Sequence, residues 1–284
     1  MVRNALLAAI KIYMDKVLRL RTSDVKDLDS QLRLAKEDAM KQLIYHKPNA
    51  GLIIRHLNDL RDALSKSGKC FIELKFRTAR KFISGWSPLY FITEVPMSWD
   101  MVLDVPYIEG SAIKGVIRDY FMEVVKELTG SDVEAKKTTD CVFGNNEMAG
   151  KVIFFNAYPV SSDEILTYDI ITPHKPKAET DDVAQETPNA YLRAPHYPKV
   201  ETEYNVTPVP VKFLAIKEGV EFVTFLAFDK EELSKSCGDN ALNNLLKALL
   251  LSMKMGWGRR TSRGYGELEI VSREVVLKCP GSSS

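Results

Sequence analysis

The segment MGWGRRTSRGYGEL (residues 255–268) lies between a predicted helix and a predicted strand, and it combines glycine, arginine and aromatic residues. Glycine permits positive φ and lets a ligand approach the backbone N–H groups closely. The glycines here are Gly256, Gly258, Gly264 and Gly266. No acidic residue lies among the three arginines, whose planar guanidinium groups match phosphate oxygens: Arg259, Arg260 and Arg263. Trp257 and Tyr265 could stack on bases, so the segment predicts a nucleic-acid-binding loop.

Two familiar phosphate loops do not fit this segment. A Walker loop ends in Gly-Lys-Ser/Thr, which is absent here, and a Rossmann fingerprint lies between a strand and a helix. The remaining alternative is a tight glycine turn whose arginines simply face solvent.

A second motif is PYIEGSAIKGVIR (residues 106–118), in which a Gly-Ser turn opens a helix. The first N–H groups of a helix and its dipole favour an anion. The residues that could hold a phosphate there are Gly110, Ser111, Lys114 and Arg118. The alternative is an ordinary amphipathic helix that is capped by Ser111.

Hydrophobic spacing predicts an α+β order of elements. Three amphipathic helices are expected before residue 67, and alternation over Cys70–Arg77 predicts a half-buried strand. Further expected elements are a helix from Ser111 to Gly130, a strand at Val152–Tyr158, a hairpin of Val211–Ile216 with Val220–Phe228, a helix at Asn240–Met255 and strands at Tyr265–Val271 and Glu274–Leu277.

This order predicts a ferredoxin-like antiparallel sheet with helices on one face. We expect a helical extension at 1–66, the α+β domain at 67–278 with a proline-rich insertion at 159–210, and a flexible tail at 279–284. A long irregular insertion in a compact domain usually serves a function or is disordered.

Composition excludes several classes of protein. Of the 284 residues, 45% are hydrophobic and 27% charged, which excludes a mainly disordered chain. The 39 Lys+Arg nearly balance the 38 Asp+Glu, which excludes a uniformly basic protein but allows a local basic patch. No apolar run approaches the ~18–20 residues that span a bilayer, so no membrane partner is expected.

The cysteines and histidines do not indicate a metal site. Cys70, Cys141, Cys237 and Cys279 are far apart, and neither a CxxC pair nor an HExxH motif is present. We expect thiols in a reducing cytoplasm, no metal and no other cofactor.

Both motifs resemble those of the RAMP superfamily of CRISPR proteins, in the same order and on the same elements. That family has a Pro-x-Ile-x-Gly-Ser-x-x-Lys-Gly turn before a helix and a C-terminal loop of the Gly-x-Gly…Gly-x-Gly type. More narrowly, four segments resemble the sixth-subunit family of the Cmr complex, the type III-B CRISPR effector that targets RNA: CVFG (141–144), GKVIFFNAYP (150–159), DIITPH (169–174) and PVPVKFL (208–214). The resemblance covers roughly residues 67–275, whereas residues 1–66 match no motif.

The resemblance implies a modified RNA-recognition-type fold that holds guide RNA towards its 3′ end. It also implies target RNA, other RAMP subunits and the small helical subunit of the Cmr complex as partners. Family members insert a β-hairpin thumb into the guide–target duplex, and the insertion at 159–210 is the candidate. Within it, His174 is expected to contact RNA or a neighbouring chain.

The superfamily also contains ribonucleases, so the main alternative is a RAMP-fold endoribonuclease that processes guide RNA or cuts target RNA. Guide processing would use a histidine as general acid or base, and the candidates are His46, His56, His174 and His196. Target cleavage would use an aspartate after the first strand, where Asp100 and Asp104 lie. Neither aspartate has an alignable motif, so we expect a non-catalytic RNA-binding subunit for antiviral defence.

Overall fold

The computed structural model describes residues 4–20, 25–83, 85, 92, 95, 97–171, 210–271 and 276–280. Its helices are α1 (Ala5–Val17), α2 (Val25–Ile44), α3 (Ala50–Lys66), α4 (Gly110–Thr129), α5 (Asp132–Phe143), α6 (Lys230–Cys237) and α7 (Ala241–Met255). Its strands are β1 (Cys70–Thr78), β2 (Trp99–Asp100), β3 (Val105–Pro106), β4 (Val152–Phe154), β5 (Tyr158–Pro159), β6 (Leu166–Ile171), β7 (Val211–Ile216), β8 (Glu221–Phe228), β9 (Leu268–Ile270) and β10 (Val276–Lys278). No helix of these residues is long and apolar enough to cross a membrane.

The central sheet is antiparallel throughout. Strand β1 pairs with β8 on one side and with β9 and β10 on the other, and β4 and β5 pair with the far side of β8. Helices α4 and α7 pack against each other, and the glycine loop follows α7. The predicted α+β class is confirmed.

Helices cover both faces of this sheet, so the prediction of helices on one face is wrong. Phe76 of β1 contacts Trp257, which follows α7, with ring centroids 5.3 Å apart. Glu73 points to the opposite face because side chains alternate along a strand. There Arg61 of α3 binds the Glu73 carboxylate with two hydrogen bonds of 2.8 Å, and its guanidinium lies over the Phe225 ring.

Strand β1 is half-buried as predicted only in its second half, where Lys75 and Arg77 are exposed; its first half is buried on both faces. Phe71 and Glu73 are buried together with their neighbours Ile72 and Leu74. The sequence pattern was misleading because a charged residue at position 73 is typical of a solvent-facing side chain. Here that charge is neutralised by Arg61, which lies on the same helical face as the buried Leu57 and Leu64.

The predicted hairpin of residues 211–228 is wrong, although both of its strands exist. Strand β7 pairs with β6 over six residue pairs, and the two form a separate two-stranded sheet. The connection between β7 and β8 is held by Thr78, whose hydroxyl donates to the Lys217 carbonyl and accepts from the Val220 N–H. The chain therefore passes from one sheet to the other at this point.

Strand β6 lies inside the range predicted as a proline-rich insertion. The range 159–210 thus begins with strand structure, and its remainder, 172–209, lies outside the described residues. Sequence analysis also missed the short helices α5 and α6.

The expectation of thiols is wrong, because the cysteines form two disulfides. Cys70 of β1 pairs with Cys279 after β10, and Cys141 of α5 pairs with Cys237 of α6. Spacing along the chain gave no signal, since the partners are 209 and 96 residues apart.

The first prediction concerns the Arg61–Glu73 pair. Arg61→Ala should lower the free energy of unfolding by about 2 kcal/mol at pH 7, because it leaves a buried carboxylate without its main partner. Arg61 lowers the pKa of Glu73, so this contribution is present above the unfolded-state pKa and is lost as pH falls through the folded-state pKa. Urea unfolding measured at pH 7 and at pH 3 should therefore show that the free energies of unfolding of variant and parent differ less at pH 3.

The control is Arg77→Ala, which removes an exposed pair with Glu269 and should cost under about 1 kcal/mol. Equal losses in the two variants at pH 7 would contradict the role given to Arg61.

The second prediction concerns the disulfide between α5 and α6. The double variant Cys141→Ser/Cys237→Ser should lose about 2–4 kcal/mol in denaturant unfolding, because the cross-link restricts a long loop of the unfolded chain. Thiol titration of the unreduced, denatured parent should detect no free cysteine. Four titratable thiols together with an unchanged unfolding midpoint would rule out this pairing.

Candidate nucleic-acid interface

The glycine loop, residues 256–266, is anchored to the core at both ends by Trp257. The indole is 1% exposed, and its Nε1–H donates to Ser252 Oγ at 2.9 Å. The Trp257 backbone N–H donates to the Gly266 carbonyl, which closes the loop. The prediction that Trp257 stacks on bases is therefore wrong, because neither face of a buried ring is accessible to a nucleotide.

The backbone N–H groups of the loop are mostly used within the protein. Arg259 N donates to the Ile83 carbonyl at 3.0 Å and Gly266 N to the Lys81 carbonyl at 2.9 Å. Gly264 N donates to the Thr261 carbonyl inside the loop. Few N–H groups are therefore left free for the expected phosphate cradle, and the side chains remain as the main candidate binding groups.

The three loop arginines present their charge to solvent. Arg259 and Arg263 are exposed and Arg260 is half-buried. Within the described part of the chain these three arginines have no carboxylate partner, whereas others form ion pairs, among them Arg61, Arg77, Arg80 and Arg118. Arg260 adopts a left-handed backbone with φ 63°, and its guanidinium lies 5.7 Å from the Phe213 ring centroid.

Tyr265 attaches the loop to β6. Its hydroxyl donates to Asp169 Oδ2 at 2.7 Å, and Lys81 Nζ reaches the same oxygen at 3.0 Å. Burial and the hydrogen bond to Asp169 raise the pKa of Tyr265 to about 12. Its ring is half-buried beside Phe213.

The start of α4 differs from the prediction, because the helix begins at Gly110 and its N-cap residue is Glu109. Ser111 lies inside the first turn and does not cap it. Gly110 is buried, and its N–H donates to Asn156 Oδ1 at 2.9 Å. A Cβ there would lie 2.5 Å from the Phe154 carbonyl oxygen, so this glycine serves packing.

Charge also disfavours a phosphate at this helix start. The Glu109 carboxylate accepts a hydrogen bond from Ser98 Oγ at 2.7 Å and lies within 3.4 Å of Ser111 Oγ. A carboxylate already complements the helix dipole there and would repel a second anion. Arg118 is paired with Asp140 at 2.8 Å, whereas Lys114 has no carboxylate partner within the described residues.

The aspartates considered for catalysis are both engaged in structural hydrogen bonds. Asp100 accepts from the Leu103 N–H and from the Tyr158 hydroxyl, at 2.9 and 2.8 Å. Asp104 accepts from the Ala5 N–H, at 2.8 and 2.9 Å, and from the Trp99 indole at 3.1 Å. Asp104 therefore attaches the first helix to the β2–β3 turn.

The structure brings one histidine candidate to a candidate aspartate, because His46 Nε2 lies 3.6 Å from Asp104 Oδ2. His46 Nε2 lies 2.7 Å from the Asp104 carbonyl oxygen, and the His56 ring packs edge-on against Tyr158. His174 and His196 lie outside the described residues.

Sequence analysis missed three residues that surround the loop: Lys81, Asp169 and Phe213. Asp169 and Phe213 occur in segments that carry the family resemblance, and Lys81 lies in a basic stretch after β1. Their contact with the loop depends on the pairing of β6 with β7, which the local pattern did not reveal.

The third prediction compares two loop glycines with the same φ of 82°. An added Cβ at Gly258 would lie 2.3 Å from the Ile83 carbonyl oxygen, whereas at Gly264 it meets no atom within 4 Å. Gly264→Ala should therefore cost only the left-handed strain, about 1–2 kcal/mol, and Gly258→Ala clearly more. Denaturant unfolding of both variants measures this, and equal losses would show that the loop does not pack on Ile83.

Comparison with known proteins agrees with the resemblance noted in the sequence. The chain is 25% identical to the CRISPR system CMR subunit Cmr6 of Saccharolobus solfataricus, over 88% of this chain and 76% of the relative. It is 26% identical to the Cmr6 subunit of Pyrococcus furiosus, over 58% of each chain.

A solved structure described as the type III-B Cmr-beta bound to cognate target RNA contains a chain of the same fold. The TM-score is 0.70 at 20% identity, and the alignment covers 98% of this chain and 93% of that one. The model of the RAMP superfamily matches residues 91–269, which include α4, the central strands β4 and β8 and the glycine loop. The chain therefore belongs to the RAMP superfamily.

Proposed function

We propose that this chain is a non-catalytic RNA-binding subunit of a type III-B CRISPR effector complex. It would hold guide RNA towards its 3′ end and help to shape the guide–target duplex in antiviral RNA interference. The observation that carries the proposal is the anchored glycine loop with three arginines that have no carboxylate partner among the described residues. Membership of the RAMP superfamily and similarity to Cmr6 subunits support it.

The strand order supports a ferredoxin-like assignment. Taking β4 with β5 and β9 with β10 as single positions, the order across the sheet is β9/β10, β1, β8, β4/β5. In chain order this is fourth, first, third, second, with α4 and α7 in the two crossovers. That is the arrangement of a split βαβ fold.

Arginine side chains suit a ligand whose sequence varies. A guanidinium group can donate two parallel hydrogen bonds to a phosphate, and phosphate contacts carry no base information. In a guide-dependent complex, specificity comes from base pairing, so the protein needs to hold the backbone alone. The loop offers this chemistry without a base-reading side chain.

The similarity to Cmr6 also suggests protein partners. The chain of similar fold belongs to a Cmr-beta complex whose structure is described as bound to cognate target RNA. We therefore infer guide and target RNA, other RAMP subunits and the small helical subunit of the complex as partners of this chain. The acidic carboxylates of Asp100 and Asp104 are occupied by structural hydrogen bonds, which favours binding over cleavage.

The fourth prediction tests RNA binding by the loop. In the full chain, Arg259→Ala/Arg260→Ala/Arg263→Ala should weaken binding to unrelated single-stranded RNAs alike. The plot of the logarithm of the association constant against the logarithm of salt concentration has a negative slope. This slope should become shallower by about 2, since each of the three lost phosphate contacts accounts for about 0.7. Fluorescence anisotropy between low and physiological salt measures both quantities.

The matched control removes three exposed lysines from α5 and α6: Lys136→Ala/Lys137→Ala/Lys235→Ala. It has the same net charge as the arginine variant and should retain affinity and slope. Equal loss in both variants would indicate a general charge effect, and loss for one RNA sequence alone would contradict phosphate binding. Cleavage of labelled RNA by the purified full chain would overturn the non-catalytic assignment in favour of an endoribonuclease.

A further inference from the structure

Strands β6 and β7 form a two-stranded stem whose two faces have different neighbours. Asp169 of β6 lies directly opposite Phe213 of β7, so their side chains share one face. Tyr168 and Lys212 occupy adjacent positions and point to the other face.

The face of Asp169 and Phe213 contacts the glycine loop at two points. The Asp169 carboxylate accepts from the Tyr265 hydroxyl at 2.7 Å, and the Phe213 ring lies under the Arg260 guanidinium. The Tyr265 N–H also lies 3.4 Å from the Arg260 carbonyl oxygen. The contacts of Asp169 and Phe213 therefore involve residues of the same turn of the loop.

Helix α2 supports the opposite face of the stem. The Tyr168 hydroxyl donates to the Glu37 carbonyl at 3.2 Å, and Lys212 Nζ pairs with the Glu37 carboxylate at 2.7 Å. The stem is thus held between α2 and the loop. This contact gives part of the N-terminal extension a structural role that its sequence did not indicate.

The two contacts orient the loop without neutralising its charge. A guanidinium that stacks on a ring keeps its five N–H donors free in its own plane, whereas a carboxylate partner would occupy two of them. The Asp169 carboxylate lies near the loop, but its hydrogen bonds go to Tyr265 and Lys81. Arg260 therefore remains available to an anion.

We propose that Asp169 and Phe213 are positioning residues for RNA binding: Phe213 orients Arg260, and Asp169 fixes the loop through Tyr265. This proposal rests on the proposed function, because it concerns the same RNA-binding loop. Neither residue touches the RNA, and each acts through its loop partner.

The test measures RNA affinity and salt slope for the full chain carrying Tyr265→Phe, Asp169→Ala or both. Alanine is used at position 169 because an asparagine oxygen could still accept from the Tyr265 hydroxyl. Tyr265→Phe should raise Kd about fivefold, in line with the loss of one typical intramolecular hydrogen bond. In the Asp169→Ala background, Tyr265→Phe should raise Kd no further, because the carboxylate that accepts from the Tyr265 hydroxyl is already absent. Tyr265→Phe should leave the salt slope unchanged, since this variant removes no charge and no phosphate contact.

Tyr158→Phe is the matched control. It removes a similar hydrogen bond of 2.8 Å, from the Tyr158 hydroxyl to Asp100, and neither residue belongs to the glycine loop. It should lower the melting temperature and leave Kd unchanged. Phe213→Leu should raise Kd in the parent but have no effect on Kd in an Arg260→Ala background.

Two results would overturn the positioning roles while leaving the proposed function intact. One is an unchanged Kd for Tyr265→Phe when the triple arginine variant loses binding. The other is an equal effect of Phe213→Leu with and without Arg260. If the triple arginine variant binds RNA normally, the proposed function and this inference both fail.

Discussion

The burial of Trp257 is the contact on which the candidate interface depends. Its ring packs edge-on against Phe76 of β1, its indole N–H binds Ser252 of α7, and its backbone binds Gly266. Sheet, helix and both ends of the glycine loop therefore meet at one residue. The loop is closed and anchored there, its arginines face solvent, and Gly258 and Gly266 lie against the chain that follows β1.

The coverage of the sheet on both faces limits where RNA can bind. In RNA-recognition folds, aromatic side chains on the open sheet face stack on bases. Here the corresponding area around Phe225 is covered by α3, and Arg61 stacks on that ring while it neutralises Glu73. The exposed positive charge of the loop is then the better surface for a phosphate backbone. The carboxylate of Glu109 further removes the start of α4 from that role.

Sequence reasoning predicted the features that depend on local pattern. The positions of α1, α4 and α7 and of strands β1, β4, β7 and β8 follow from periodicity and turn residues, and the two motifs were assigned to their family through the resemblance. Sequence reasoning failed where the burial or pairing of a residue depends on a partner far away in the chain. Glu73 is buried with its charge paired to Arg61, and β7 pairs with β6 instead of with the following β8. The cysteines pair across 209 and 96 residues. Trp257 was misassigned because an aromatic residue in a glycine loop has the same pattern whether it binds a base or fills the core.

Photo-cross-linking of the full chain to single-stranded RNA containing 4-thiouridine tests the central claim most directly. Mass spectrometry would identify the peptides attached to RNA. The account predicts cross-links within residues 256–266 and none at Phe71 or Phe225 beneath α3. Cross-links at that covered sheet face, with the glycine loop unmodified, would contradict it.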